Sequence, residues 1–239
     1  MITALERKAQ TLEYPEGDGL PMAETGFHVT LIAYFLAMLR TFFESRPDVY
    51  MGANMFLYYW EGDPTKKIAP DLFVVFRTTK EKRRVWKVWE EGQVPTVVLE
   101  FTSRGTQDED QGSKKGLYEW LGVQEYFLFD PLHSYLKPVL QGFRLEEGGY
   151  RRVEAIAGPG GAWQMLSQQL GLWLRVEETA LHLYEQATGR KLLAPPELAA
   201  ALRAPEARIE EEMAARQAAE AELARLRAEL ERLRRNQQT

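Results

Sequence analysis

Phe27, Leu31, Tyr34, Phe35, Met38, Leu39 and Phe42 recur at three- and four-residue steps, which predicts one amphipathic helix over residues 25–44. From Val49 the texture changes. VYMGANMFLYYW is β-branched and aromatic, with Gly52 and Asn54 marking a bend or bulge in a strand. IAPDLFVVF and PTVVLEFTS follow as two more strands, and their near-continuous apolar character predicts burial on both faces. SRGTQDEDQG is a polar loop leading into a helix over 108–121, stopped by Gly122. EYFLFD is another buried strand, ended by Pro131. Two hairpins come next: LQGFRLEEGGYRRVEAI, turning at Gly148 and Gly149, and LWLRVEETALHLYE. This order predicts an α/β (α+β) domain, a mixed sheet flanked by helices.

Residues 1–20 are polar and carry glycine and proline, so they read as an irregular arm of a domain running to residue 194. Pro195 and Pro196 mark its end. Beyond them Ala, Glu, Arg and Leu dominate, and Leu223, Leu226, Leu230 and Leu233 fall on alternating three- and four-residue steps. The expectation for 195–239 is a charged helix that self-associates as a coiled coil into a dimer or larger homo-oligomer. A solvated helix held by Glu/Arg pairs four residues apart is the plainer alternative; packing of the tail on its own body is a third.

Composition narrows the chemistry. The 239 residues are 45% hydrophobic and 27% charged, which suits one medium domain plus an appendage. There is no cysteine, so disulfides, thiolate-bound zinc and cysteine nucleophiles are excluded. No run of eighteen apolar residues predicts a membrane span, and MITALERKAQ lacks the apolar stretch of a secretory signal. A cytoplasmic location is the expectation. The net charge of −5 speaks against a basic coat for nucleic acid and leaves room only for a local basic cleft.

Two acidic residues stand out against this background. Asp71 follows Pro70 at the head of LFVVF, and Glu100 lies near the end of TVVLEF. Burying an unpaired carboxylate is costly, so two such strands side by side call for a cation where the acids meet. Mg²⁺ takes only one or two protein carboxylates and leaves its other positions to water and phosphate, which makes this a candidate phosphodiester-cutting site. A nearby lysine would hold the attacking water or neutralise developing charge. Asp110, Lys114 and Tyr118 are spaced four apart, along one helical face, and Lys114 is the best placed; Lys115 points about 100° away.

Taken together, APD, VLEFTS, D-x-G-x-K-x-x-x-Y and GVQEYFLFDP resemble the Uma-type restriction-endonuclease family, within the PD-(D/E)xK, restriction-endonuclease-like superfamily. The resemblance covers roughly residues 20 to 190. It implies a restriction-endonuclease-like fold, with Asp71 and Glu100 as metal-binding carboxylates and Asp110 and Tyr118 as their supports. The family's lysine usually stands two residues after the glutamate, where this chain has Thr102, so Lys114 is implied as the displaced catalytic lysine. The implied activity is an Mg²⁺-dependent endonuclease on DNA, with Mn²⁺ as a substitute and a 5′-phosphate product. RNA is the alternative strand chemistry. A second reading is a non-enzymatic oligomeric or nucleic-acid-binding protein on an inactive nuclease fold, as Thr102 and the acidic charge would allow.

Other residues carry less. Glu24 and His28, four apart on one face, could extend the metal site, although His28 reads more readily as an ordinary helix-boundary residue. His133 and His182 suggest no role. Lys80, Lys82, Arg83, Arg84, Trp86, Lys87 and Trp89 interleave cations with aromatics, which suits either a phosphate-and-base surface or tryptophans covering the sheet. Lys66 and Lys67 would add positive charge near Asp71.

Overall fold

The computed structural model describes residues 12–17, 25–103 and 105–236. The chain divides into two units, Met1–Leu192 and Leu193–Thr239.

The first unit opens on helix α1 (Gly26–Phe42), capped by the Thr25 hydroxyl, which accepts from the His28 amide at 3.3 Å. Strand β1 (Val49–Gly52) then pairs antiparallel with β4 (Leu72–Phe76). Between them, β2 (Leu57–Tyr58) and β3 (Lys67–Ile68) join β5 (Trp86–Lys87) in a small three-stranded sheet. A single helical turn, α2 (Val88–Glu91), leads to β6 (Val97–Phe101). Helices α3 (Gln107–Gln111) and α4 (Ser113–Leu121) cross over to β7 (Glu125–Phe129), parallel to β6. The hairpin β8 (Leu140–Glu146) and β9 (Gly149–Arg152) completes a six-stranded mixed sheet in the order β1-β4-β6-β7-β8-β9. Four antiparallel strands form a further sheet: β10 (Ile156–Ala157), β11 (Trp163–Ser167), β12 (Leu172–Glu177) and β13 (Ala180–Glu185). The mixed α+β architecture expected from the sequence is the one found.

The central strands are buried along their whole length because both faces are covered. One face packs Tyr50, Phe73, Val75, Trp86, Val98, Tyr118, Tyr126 and Leu128 into a continuous aromatic-rich core. Glu125 is buried as well, and its carboxylate is fully engaged. It pairs with Arg144 at 3.0 Å and accepts from the Ser167 hydroxyl and the amides of Gln168 and Gln169. Those contacts tie the four-stranded sheet to the central one.

Three expectations change. The run 49–60 is two strands in two different sheets, because β1 must stop at Gly52. A Cβ there would stand 2.3 Å from the Phe73 ring, and Asn54 turns the chain with φ of 46°. The helix over 108–121 is two helices, broken at Gly112 with ψ of −95°, so Asp110 and Lys114 lie on successive helices rather than one continuous face. Strand β11 was not expected. Its buried Gln164, which accepts from Arg175 at 2.9 Å, interrupts the apolar signal.

The second unit contains α5 (Pro195–Asn236), 42 residues and hence about 63 Å of helix. Glu197 caps its start by accepting from the Ala194 amide at 2.8 Å, and Arg216 pairs with Glu220 one turn on. Leu202, Met213 and Leu223 are exposed. No helix among the described residues is long and apolar enough to cross a membrane.

Candidate active site

The site is assembled by register. In the antiparallel pair of β4 and β6, Leu72 faces Leu99, so the next step along places Asp71 across from Glu100. Side chains directly opposite in such a pair project on the same face, and these two meet at the end of the ladder. The Asp71 amide, freed from strand pairing, donates to Glu100 Oε2 at 3.2 Å. In return Asp71 Oδ2 accepts from the Phe101 amide at 2.7 Å. The start of β4 is itself held by the Asn54 amide, which donates to the carbonyls of Pro70 and Asp71.

The crossover brings the lysine. Lys114, at the beginning of α4, places its ammonium 3.3 Å from Glu100 Oε2 and 2.9 Å from Asp110 Oδ1. The approach to Asp110 Oδ1 lies outside hydrogen-bond angles, so charge rather than an aligned bond holds it. Asp110 Oδ2 accepts from the Thr102 hydroxyl at 3.3 Å, and Tyr126 donates to the Asp110 carbonyl at 2.8 Å. These contacts fix α3 against β7 despite the break at Gly112. Tyr118, one turn after Lys114, donates to Glu100 Oε1 at 2.7 Å.

The structure therefore brings Asp71, Glu100 and Lys114 together, with Asp110 and Tyr118 beside them. Thr102 is buried and serves Asp110. His28 also arrives, its Nε2 3.4 Å from Asp71 Oδ2, although its sequence context favoured a helix-boundary reading. Its position on the first turn of α1, behind the Thr25 cap, was the available signal. Glu24 and Arg104 lie outside the described residues. Tyr126 and its hold on Asp110 had no distinguishing signal in a strand of aromatic residues.

Electrostatics set the character of the place. Burial pushes the Glu100 carboxyl up to about 8. The charge of Asp71 adds to this, the Lys114 ammonium opposes it, and Asp110 adds again. Burial works against the Lys114 ammonium, yet Glu100, Asp110 and Asp71 more than offset that and raise its pKa. Tyr118 and Tyr126 are raised well above the ordinary tyrosine value, first by burial and then by Glu100, and so remain phenols. Among the described residues, three carboxyl groups thus face one lysine in a buried place. Among the described residues no three His, Asp or Glu side chains form a ready-made metal cage. Two carboxyl groups at one buried point nevertheless suit a small oxygen-preferring dication, whose charge would favour their ionised forms and which needs no more from the protein.

In the basic and aromatic segment after β4, Lys80, Arg83 and Trp86 are engaged by the fold, while Lys82 and Arg84 are exposed. Trp86 is buried and donates to the Gln93 carbonyl at 2.9 Å. Arg83 pairs with Glu91 at 2.6 Å, and Lys80 donates to the carbonyls of Phe43 and Glu44 just beyond α1.

The family model described as "Uma2: Putative restriction endonuclease" matches residues 2–205, most of the chain. The chain belongs to the Uma2 family. Its Uma2 membership supports a nuclease reading of the chain. Among solved structures, the chain is similar to one described as "a putative nuclease belonging to DUF820" from Anabaena variabilis ATCC 29413. Identity is 12%, coverage is 62% of this chain and 75% of that one, and the TM-score is 0.45. No curated protein matches.

Proposed function

We propose that this Uma2 chain is a divalent-metal-dependent endonuclease that hydrolyses phosphodiester bonds of DNA. The observation that carries the reading is the convergence of Asp71, Glu100 and Lys114 at one buried point. Asp71 and Glu100 would hold Mg²⁺, or Mn²⁺ in its place. When bound, such an ion acidifies water and polarises the phosphate.

The chain's own residues supply the rest. Tyr118 and the Asp71 amide orient the two Glu100 oxygens, and the Phe101 amide and His28 orient Asp71. Asp110, itself steadied by Thr102, steers the Lys114 ammonium toward the reacting phosphate. That ammonium lowers the energy of the charge that builds on the phosphoryl oxygens. In-line attack by water breaks the bond to the 3′-oxygen and leaves a 5′-phosphate and a 3′-hydroxyl.

Self-association through α5 completes the proposal. A coiled coil using Leu223, Leu226, Leu230 and Leu233 would make residues 195–239 a separate dimerisation element and bring two sites to one duplex. A cytoplasmic location goes with this reading.

The test is nicking of supercoiled plasmid in Mg²⁺ or Mn²⁺. Wild type should nick, and Asp71→Ala should be slower by more than about a hundredfold. Equal behaviour of the two would remove the reading. One observation favours a non-catalytic protein: the Lys114 ammonium already occupies space beside Glu100 Oε2, where a cation would bind. Calorimetric titration with Mg²⁺ separates the two, since the scaffold reading requires no binding that Glu100→Ala abolishes.

A further inference from the structure

Trp60 and Trp120 are 56% and 62% exposed, although tryptophan is the residue with the most apolar surface to hide. Their planes lie within 22° of each other, with ring centroids 6.5 Å apart. Tyr59 meets Trp120 edge-on at 6.3 Å and braces it from the core side. Trp60 follows β2 in a tight connection to β3, pinned where the Tyr59 amide donates to the Lys66 carbonyl at 3.1 Å. Trp120 lies on α4, the helix that carries Lys114. One turn before it, Gly116 offers no side chain, and nothing lies within 4 Å of where a Cβ would stand. The indole surface is therefore open to solvent along the helix.

We infer that Trp60 and Trp120 form a stacking platform for unpaired nucleobases of the strand whose backbone reaches Lys114. This rests on the nuclease reading and narrows it, from DNA in general to strands with bases out of the duplex. Two features favour bases over a second copy of the chain. The exposed indole surface amounts to about 300 Å² at about 250 Å² per tryptophan. A stable protein interface needs about 800 Å² on each side. The rings are also near-parallel, and near-parallel indole faces suit the flat π-face that every base presents. Trp120 lies six residues beyond Lys114, about 9 Å further along the helix axis and about 120° around it, so a strand at Lys114 would turn past the edge of α4 to lay its bases on the indoles.

The full chain can be tested by fluorescence anisotropy with a labelled single-stranded thymidine oligonucleotide, an abasic strand of equal length and a duplex, in EDTA to prevent cleavage. Trp60→Ala and Trp120→Ala should each weaken thymidine-strand binding about tenfold, as loss of one stacked base does. The slope of affinity against salt should not change, because no phosphate contact is lost. Trp120→Phe should recover most of the affinity, and the abasic strand should bind wild type and variants alike. Equal binding of the thymidine strand by wild type and both alanine variants would overturn the platform. A fall in molar mass by light scattering in those variants would overturn it too, by making the pair a contact between copies. If wild type binds no strand, the platform is also lost. Plasmid nicking then decides whether the nuclease reading goes with it.

Discussion

Replacing Lys114 with methionine keeps most of the side chain's bulk and removes its charge. In the folded protein this leaves Glu100 and Asp110, both buried, without the one ammonium that faces them among the described residues. Breaking a buried pair by removing one partner costs about 3–5 kcal/mol. Glu100 softens the loss, because its carboxyl is already pushed up to about 8 and can take a proton instead of remaining an uncompensated anion. The lower end, about 3 kcal/mol, is therefore the expectation near pH 7, which for a domain of this size lowers Tm by about 6–12 °C. Differential scanning calorimetry of the metal-free protein measures it. The loss should grow above about pH 8, where wild-type Glu100 ionises against the Lys114 ammonium. Mg²⁺ should restore more stability to Lys114→Met than it adds to wild type, because the ion then supplies the missing positive charge without competing with the lysine. Nicking should nevertheless stay absent. A change in Tm smaller than about 1 °C in metal-free buffer would show that Lys114 does not bear on the two acids, and the geometric account of the site would fall.

Further outcomes follow from the same contacts. Glu100 has a folded pKa above its unfolded value, so the native state binds the extra proton between about pH 4.5 and 8. Its contribution to stability is therefore present below that range and lost as pH rises through it. Urea unfolding in EDTA should show this fall, and Glu100→Gln should flatten it; a rise with pH attributable to Glu100 would contradict the assignment. Tyr118→Phe removes the donor to Glu100 Oε1 while keeping the ring, and should lower stability by about 1–3 kcal/mol in the same assay. Glu125→Ala strands Arg144 and the amides of Gln168 and Gln169, and should cost about 3–5 kcal/mol. A loss confined to tenths would mean that Glu125 does not join the two sheets. Light scattering of the full chain should give a dimer or larger assembly, and Leu226→Glu with Leu230→Glu should reduce it; an unchanged mass would remove the coiled coil.

The sequence disclosed the grouping of the candidate site residues more readily than the fold around them. Pro70-Asp71 and Glu100 bound two apolar runs whose antiparallel register puts the acids opposite each other, and a local pattern suffices to suggest that. Lys114 was legible because four-residue spacing survives a helix break. The break itself was not, since Gly112 within QGSKK reads as one tolerated helical glycine and its role depends on the Asp108 carbonyl, 2.9 Å from where a Cβ would be. The split of 49–60 was hidden for a similar reason. Whether β2 stays with β1 is decided by the Phe73 ring at Gly52, a residue of a different strand. Trp86 and Arg83 look like a nucleic-acid surface in one dimension, yet their partners, Gln93 and Glu91, draw them into the body. His28 lies 43 residues before Asp71 by sequence number, and only α1 crossing the end of β4 brings them within 3.4 Å.

Asp71 stands immediately before β4, Glu100 on β6 and Lys114 on α4, so no single element presents more than one of the three. A chain emerging from synthesis cannot bring these three groups together until the crossover has closed over the sheet. On the proposed reading, strand cleavage would thereby be deferred to the finished molecule, since no fragment lacking one of the three elements could assemble the trio.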